Sequence, residues 1–359
     1  MALTQVDQGL LGTYAQYTGF KNRIINGAMV IDQRNAGAAT ANTISGYTVD
    51  RWQVVQSPTT GKVIGQQNAG AVTPPAGFNN YYGITSQSAF SIVAGSIYTF
   101  IQPIEGFNFA DMAWGTANAQ TITLSFWVRS SLTGTFGGSL GNGSSFNRSY
   151  PFTYTISSAN TWEQKTITIA GDTTGTWAGA TNGIGVYITF GLGVGSTYSS
   201  TAGAWATGDF RSATGATSVV GTNGATWYVT GVQLEKGSTA TSFDYRPYGT
   251  ELQLCQRYYY PVRGSGQFAD VVGTTTTDMF FGATFPVEMR ATPTMTGVLT
   301  ALQVNNFSLA YTASGGSYSF NATNTQGVSV RKGGFTSLNT SYRYFVNSTS
   351  IVVTADAEL

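Results

Sequence analysis

Seven tryptophans stand in this sequence, and Trp127, Trp177 and Trp205 are placed where a ligand could reach them. Trp127 falls on the polar side of an alternating run, while Trp177 and Trp205 sit in glycine-rich stretches near Tyr198 and Asp209. Indole and phenol rings offer flat apolar faces to the C–H faces of sugar rings, and carboxylates and amides meet the hydroxyls. The candidate ligand-binding set is therefore Trp127, Trp177, Trp205, Tyr198 and Asp209, and the chemistry it points to is carbohydrate recognition. Packing is the competing use of each ring, because tryptophan is highly buried on average. Tyr81 and Tyr82 follow AGFNN, a loop whose tip is open to either use. The run of Arg257, Tyr258, Tyr259, Tyr260, Pro261 and Arg263 fits a packed junction better than a nucleic-acid surface.

Catalysis finds little to work with. Histidine is absent, which excludes Ser-His-Asp and Cys-His nucleophilic arrangements and H-E-x-x-H metal sites. Glycoside cleavage needs two carboxylates about 5–10 Å apart, and Asp111, Glu163, Asp172 and Asp209 are scattered without a spacing that pairs them. The expectation is a protein that is not an enzyme, with no cofactor and no metal. Cys255 is the single cysteine; it falls on an apolar stripe, as a small buried hydrophobe would. GLGVGS at 191–196 has the glycines of a phosphate loop but lacks the lysine and the strand-to-helix context, so a strand with a glycine kink is expected.

The elements that must carry these residues follow from composition. Glycine at 45 residues, 13% aromatics and 9% charge describe many short strands joined by tight turns. Basic and acidic residues nearly cancel, 17 against 16, so no global field draws nucleic acid or an anionic membrane. No apolar run approaches the roughly 20 residues of a membrane span, and MALTQVDQGL lacks the basic and apolar regions of a secretory signal. The expected chain is neither membrane-inserted nor exported by that route.

In TITLSFWVRS, Ile122, Leu124, Phe126 and Val128 share one face and Thr123, Ser125, Trp127 and Arg129 the other. GVYITFGLGV repeats the device with Val186, Ile188, Phe190, Leu192 and Val194, and QKTITIAG and ATWYVTGVQL supply further strands. Turn-rich stretches such as GDTTGTWAGATNG separate them. After Pro247 the texture turns helical: Thr250 can cap, Glu251 lies in the first turn, and Leu252, Cys255 and Tyr259 recur at helical spacing over about three turns. The predicted fold is all-β, a jelly-roll β-sandwich followed by a short connecting helix and a second, smaller β-sandwich domain. Its divisions are an attachment arm at 1–20, the jelly roll at 21–247, the helical connector at 248–260 and a C-terminal β domain at 261–359.

NRIINGAMVIDQR, YTVDRWQ, LSFWVRSSLTGTFGGSL, GDTTGTW, GVQLEKGSTATSFDYRPYGTELQLCQRYY and FPVEMRATPT together resemble a family of bacteriophage and prophage virion proteins, tail-fibre or receptor-binding proteins. The resemblance covers most of residues 21–295, and its most specific part is LEKGSTATSFDYRPYGTELQLCQRYY. The first domain also resembles carbohydrate-binding-module jelly rolls, in which an N-terminal strand with an Asn-Gly turn pairs near a closing strand of the GVQL type. Where such modules place a calcium-binding acid in the closing strand, Gln233 stands here, with Glu235 just beyond.

The resemblance implies a virion component, made in the host cytoplasm and displayed on the phage tail or capsid exterior. Its implied partners are other virion proteins, reached through residues 1–20, and host surface polysaccharide or lipopolysaccharide. A homo-oligomer, in the first instance a homotrimer, is expected, with Leu252, Leu254 and Tyr258 of the connector touching sister chains because so short a helix must dock its apolar stripe. The alternative is a structural capsid or tail decoration whose aromatics serve packing alone.

Overall fold

The computed structural model describes residues 20–143, 145–264, 267–298, 303–305, 309–313, 316–340, 343–347 and 351–359. The arm expected at 1–20 lies outside them except for Phe20. The chain is mostly β, with one short α-helix among the described residues, and it divides into two compact units, the first ending at Glu251 and the second running Leu252–Glu358.

The first unit is a sandwich of antiparallel sheets. One sheet has seven strands in the order Gly46–Tyr47, Gln53–Ser57, Ile97–Glu105, Ile184–Val194, Gly134–Asn142, Arg148–Ile156 and Ala206–Thr207. The other has five: Val63–Gln67, Tyr82–Ser86, Thr226–Lys236, Ile122–Ser130 and Glu163–Ile169. Alternation aims one set of side chains from each sheet at the other. Phe126 meets Phe190 at 5.0 Å and Tyr154 at 5.1 Å between ring centroids, and Trp227 meets Phe190 at 5.3 Å. Ile122, Leu124, Phe126 and Val128 are all buried there as the alternation predicts, each worth about 1.5–3 kcal/mol of apolar transfer.

The opposite faces are less open than alternation implies. Thr123 and Ser125 are also buried, and the Thr123 hydroxyl donates to the Gly237 carbonyl at 2.7 Å. On Ile184–Val194, Tyr187 and Thr189 are buried as well, because the segment around Ser212–Ala213 crosses that face; Val219 N–H donates to Leu192 O at 2.7 Å. The register shifts between Gly191 and Gly193, so the GLGVGS stretch is a strand with a bulge. Tyr81 and Tyr82 are buried, whereas Ala76, Gly77 and Asn79 of the AGFNN stretch before them are exposed.

The closing strand Thr226–Lys236 bulges between Thr230 and Gln233. Residues 22–27 run beside it: Arg23 N–H donates to Leu234 O, Val232 N–H to Gly27 O, both at 2.9 Å, and Leu234 N–H to the Asn22 Oδ1 at 3.0 Å.

The helix occupies Tyr248–Gln256, shorter than the sequence pattern indicates. Thr250 lies inside it and is not the cap; the first intrahelical bond runs from Glu251 N–H to Pro247 O at 3.1 Å. Proline tolerates this position because the first residues of a helix have no use for its missing N–H. Tyr259 already belongs to the strand Tyr259–Gly264. No helix among the described residues is long and apolar enough to cross a membrane.

The second unit is also antiparallel β. A three-stranded sheet sets Ile351–Asp356 between Tyr259–Gly264 and Thr294–Val298. A seven-stranded sheet runs Ala310–Thr312, Gln303–Asn305, Arg343–Asn347, Gln267–Gly273, Met279–Thr284, Gly327–Lys332 and Tyr318–Thr323. One apolar cluster takes Val353 and Ala355 from the first sheet and Met279, Phe281, Val330 and Tyr344 from the second.

Candidate functional site

Two of the sequence-predicted rings come together at the ends of strands in the first unit. Trp177 and Trp205 lie 5.4 Å apart with planes at 84°. Trp114 completes the group, 4.8 Å from Trp177 and 5.0 Å from Trp205, again near perpendicular. Each edge meets a neighbour's face, the arrangement aromatic quadrupoles favour. Trp114 is buried, whereas Trp177 and Trp205 are half-buried.

Local folding explains the placement. Trp114 is held by its indole N–H on Gln120 O at 2.7 Å. The next residue, Gly115, has φ +83°, and a Cβ there would stand 2.9 Å from Gly175 O and 3.0 Å from Trp177 Cδ1, so only glycine lets the two loops meet. Trp205 leads into Ala206–Thr207, which pairs with Ser149 and Arg148. Its indole N–H donates to Ala170 O at 2.8 Å, and its ring lies 5.3 Å from Tyr150.

Beneath Trp177 lies an ion pair. Arg148 Nε donates to Asp172 Oδ2 at 2.8 Å and Nη2 to Oδ1 at 2.7 Å, a two-pronged geometry that strengthens and orients the pair. Side-chain exposure is 15% for Arg148 and 3% for Asp172. Asp172 also accepts from Thr174 N–H at 3.1 Å, Thr174 Oγ1 at 3.0 Å and Trp177 Nε1 at 3.3 Å. Burial pushes the carboxyl up, but the bonds from Arg148 and Thr174 outweigh it and hold Asp172 below the usual carboxylate range. A carboxylate so saturated and so acidic is a support for the indole and a poor proton donor.

Exposed uncharged residues on these loops include Thr173, Thr174 and Thr176 on one, Thr116 and Asn118 on another, and Thr207 beside Trp205. The arrangement therefore offers two anchored indoles, whose N–H groups are already bonded, within a border of hydroxyls and amides.

Tyr198 and Asp209 belong to an adjoining group built on Arg211. The Arg211 guanidinium lies 4.4 Å from the Phe146 ring centre and 4.5 Å from that of Tyr187. It donates to Asp209 Oδ2 at 3.1 Å, and its backbone N–H to Tyr198 O at 2.7 Å. Trp127 stands apart on the five-stranded sheet, half-buried between Thr230 and Gln164 on the neighbouring strands. Of the connector residues, Leu252 and Leu254 are half-buried, whereas Tyr258 is buried in the single chain, its carbonyl accepting Ala357 N–H at 2.8 Å. Cys255 is buried too.

Each acid that might have served catalysis is paired with a cation: Asp111 with Arg23, Glu163 with Lys165, Asp172 with Arg148 and Asp209 with Arg211. Gln233 and Glu235 are buried and turned inward; Gln233 accepts Asp244 N–H at 2.7 Å, and Glu235 accepts Thr241 N–H at 2.9 Å and its hydroxyl at 2.7 Å. Among the described residues no group of His, Cys, Asp or Glu is placed to hold a metal ion. Sequence reasoning missed Trp114, Tyr150 and the Arg148–Asp172 pair. The one local signal was GDTTGTW, which carries Asp172 and Trp177 in the same loop.

No family model and no curated protein matches the chain. Among solved structures it is similar to the enzymatically active domain of bacteriophage CBA120 tailspike protein 4, at 12% identity and TM-score 0.33, over 60% of this chain and 21% of that one. The chain thus spans about a fifth of that tailspike's length. It is similar to a putative sugar binding protein from Bacteroides thetaiotaomicron at 11% identity and TM-score 0.36, over 60% of this chain and 100% of that one. A family 11 carbohydrate-binding module from Clostridium thermocellum, solved with a β-1,3-1,4-mixed-linked tetrasaccharide, stands at 11% identity and TM-score 0.29, over 56% of this chain and 96% of that one.

Proposed function

We propose that the first unit binds glycan, and that the chain is a phage virion fibre protein that attaches to host cell-surface polysaccharide without cleaving it. The observation that carries the reading is the Trp177–Trp205 pair, two half-buried indoles fixed at right angles with their N–H groups spent on Asp172 and Ala170. Rings fixed in advance lose little freedom when a sugar stacks on them. The pairing of Asp111, Glu163, Asp172 and Asp209 with cations supports binding over cleavage. The virion setting rests on the resemblance of the quoted sequence stretches, and with it the homotrimer, the attachment of residues 1–20 to other virion proteins and the display of many copies. Many copies turn weak single-site contacts into firm attachment.

The test is saturable binding of the purified chain to intact bacterial cells and to their extracted surface polysaccharide. Trp177→Ala and Trp205→Ala, each checked for folding, lose about tenfold in affinity, equivalent to ~1.4 kcal/mol, while Trp127→Ala stays within twofold. Loss confined to Trp127→Ala would move the site to the open face of the five-stranded sheet. No saturable binding by the folded chain would leave a structural virion component.

A further inference from the structure

Trp127 and Arg129 stand two residues apart on the strand Ile122–Ser130, and alternation puts both on the outer face of the five-stranded sheet. Their Cα atoms are then about 7 Å apart. Directly opposite Trp127, on the edge strand Glu163–Ile169, is Gln164, which is exposed. Opposite Arg129, on the closing strand, is Tyr228. Trp127 and Arg129 are themselves half-buried, so a flat apolar ring, a guanidinium and an amide share one open stretch of sheet.

These groups are uncommitted. Every other tryptophan donates its indole N–H to an acceptor within the fold. The Trp127 N–H has no acceptor among the described residues, and solvent reaches it. Arg23, Arg148, Arg211 and Arg246 are each paired with a carboxylate, whereas Arg129 has no such partner among the described residues. Its Nε donates to Asn160 O at 3.0 Å, and the guanidinium lies 5.5 Å from the Tyr228 ring centre. Those two contacts hold the group in place. They leave Nη1 and Nη2 unbonded and within reach of solvent, a parallel pair of donors of the kind that meets a carboxylate two-pronged.

We propose that this face is a second carbohydrate site, separate from the tryptophan pair, and that it takes a sugar acid. The carboxylate accepts from Arg129 Nη1 and Nη2, the sugar ring packs against Trp127, and the indole N–H and the Gln164 amide meet its hydroxyls. One guanidinium balances one negative charge, and Lys165 on the neighbouring strand is already spent on Glu163 at 2.6 Å. A singly charged carboxylate therefore suits the site better than a doubly charged phosphate monoester. The proposal shares with the tryptophan pair only the reading that this unit meets glycan. A glycan without acidic sugars gives Arg129 nothing to hold, so Trp127→Ala stays near-silent for such a ligand.

The test uses the full chain with glucuronate, its neutral amide glucuronamide, glucose and glucose 6-phosphate as probes, read by titration calorimetry and by the indole N–H signals in NMR. The Trp127 signal is the one that disappears in Trp127→Phe. Glucuronate binds roughly tenfold tighter than glucuronamide or glucose, as a two-pronged charged contact predicts, and shifts the Trp127 signal. Arg129→Gln, a change at a solvent-reached group, removes that advantage with unfolding behaviour unchanged, while Trp205→Ala leaves it intact. Equal affinity for glucuronate and glucuronamide, a Trp127 signal that does not move, indifference to Arg129→Gln, or tighter binding of glucose 6-phosphate would overturn the proposal. Loss on Trp205→Ala instead of Arg129→Gln would assign the sugar acid to the tryptophan pair and overturn it as well. Failure of the tryptophan pair to bind neutral glycan leaves these readings untouched, so the two sites fail separately.

Discussion

Removing the carboxylate beneath Trp177 is the sharpest perturbation of the candidate site. Asp172→Ala deletes an acceptor that receives from Arg148 twice, from Thr174 twice and from Trp177 once. It leaves a guanidinium only 15% exposed without its counter-charge. Breaking a buried pair from one side costs about 3–5 kcal/mol; the partial exposure of Arg148 admits some water, which places the expectation at the low end, about 3 kcal/mol. All seven tryptophans precede Glu251, so urea unfolding followed by tryptophan fluorescence reports the first unit. Arg148→Met in the same background removes the stranded charge, and the double variant should lose less than the sum of the two single ones. The acid limb adds a second reading. Because the folded carboxyl is held below its ordinary 3.8, its stabilising contribution is present above that value and is lost as pH falls through the lower folded one. The wild-type advantage over Asp172→Ala therefore narrows below about pH 4. A loss under 1 kcal/mol, or strict additivity in the double variant, would refute the view that this pair is sheltered and supports the loop.

Other consequences are as direct. Asp50 is 1% exposed and accepts the Gln33 backbone and side-chain N–H groups, both at 2.6 Å; burial pushes its carboxyl up from 3.8 to about 6. A raised folded value favours folding below pH 3.8 and gives that advantage up as pH rises through 6, an effect of about 3 kcal/mol. The stability of wild type relative to Asp50→Asn should fall by that amount across the window, and parallel pH curves in urea unfolding would count against it. Gly27→Ala would place a Cβ 2.1 Å from the Val232 carbonyl; backbone must yield, at a cost of about 1–3 kcal/mol, and an unchanged urea midpoint would show the neighbouring bulge to be compliant.

Legibility in the sequence followed the range of the interactions. Alternation along Ile122–Ser130 named the buried face because period two is a property of the strand itself. The burial of Thr123, Ser125, Tyr187 and Thr189 came from segments laid over the outer faces of the sheets, and no local period announces them. At the helix, Thr250 looked like a cap because capping residues are recognised by type. The chain began the helix earlier, at Tyr248, because the Pro247 carbonyl was already placed to accept Glu251 N–H. Glycine-rich loops made Trp177 and Trp205 conspicuous. Their meeting with each other and with Trp114 depended on Gly115 and Gly175 lying against one another, a contact between loops distant in the chain.

The string from Gly231 to Tyr259 opens as a strand, passes through a small polar stretch and turns helical. In the folded chain Gln233 and Glu235 are almost fully buried because they serve as internal scaffolding. Glu235 accepts Thr241, Gln233 accepts Asp244 N–H, Asp244 accepts Lys21 N–H at 2.8 Å, and Arg246 reaches the carbonyls of Asn22 and Ile24. These bonds fold the string back on itself and hold residues 21–26 against the closing strand. Buried polar networks cost least when every member finds a partner. Arg246 is the member that falls short: both terminal nitrogens are bonded to carbonyls while its buried Nε–H finds no partner, a cost that the surrounding bonds offset.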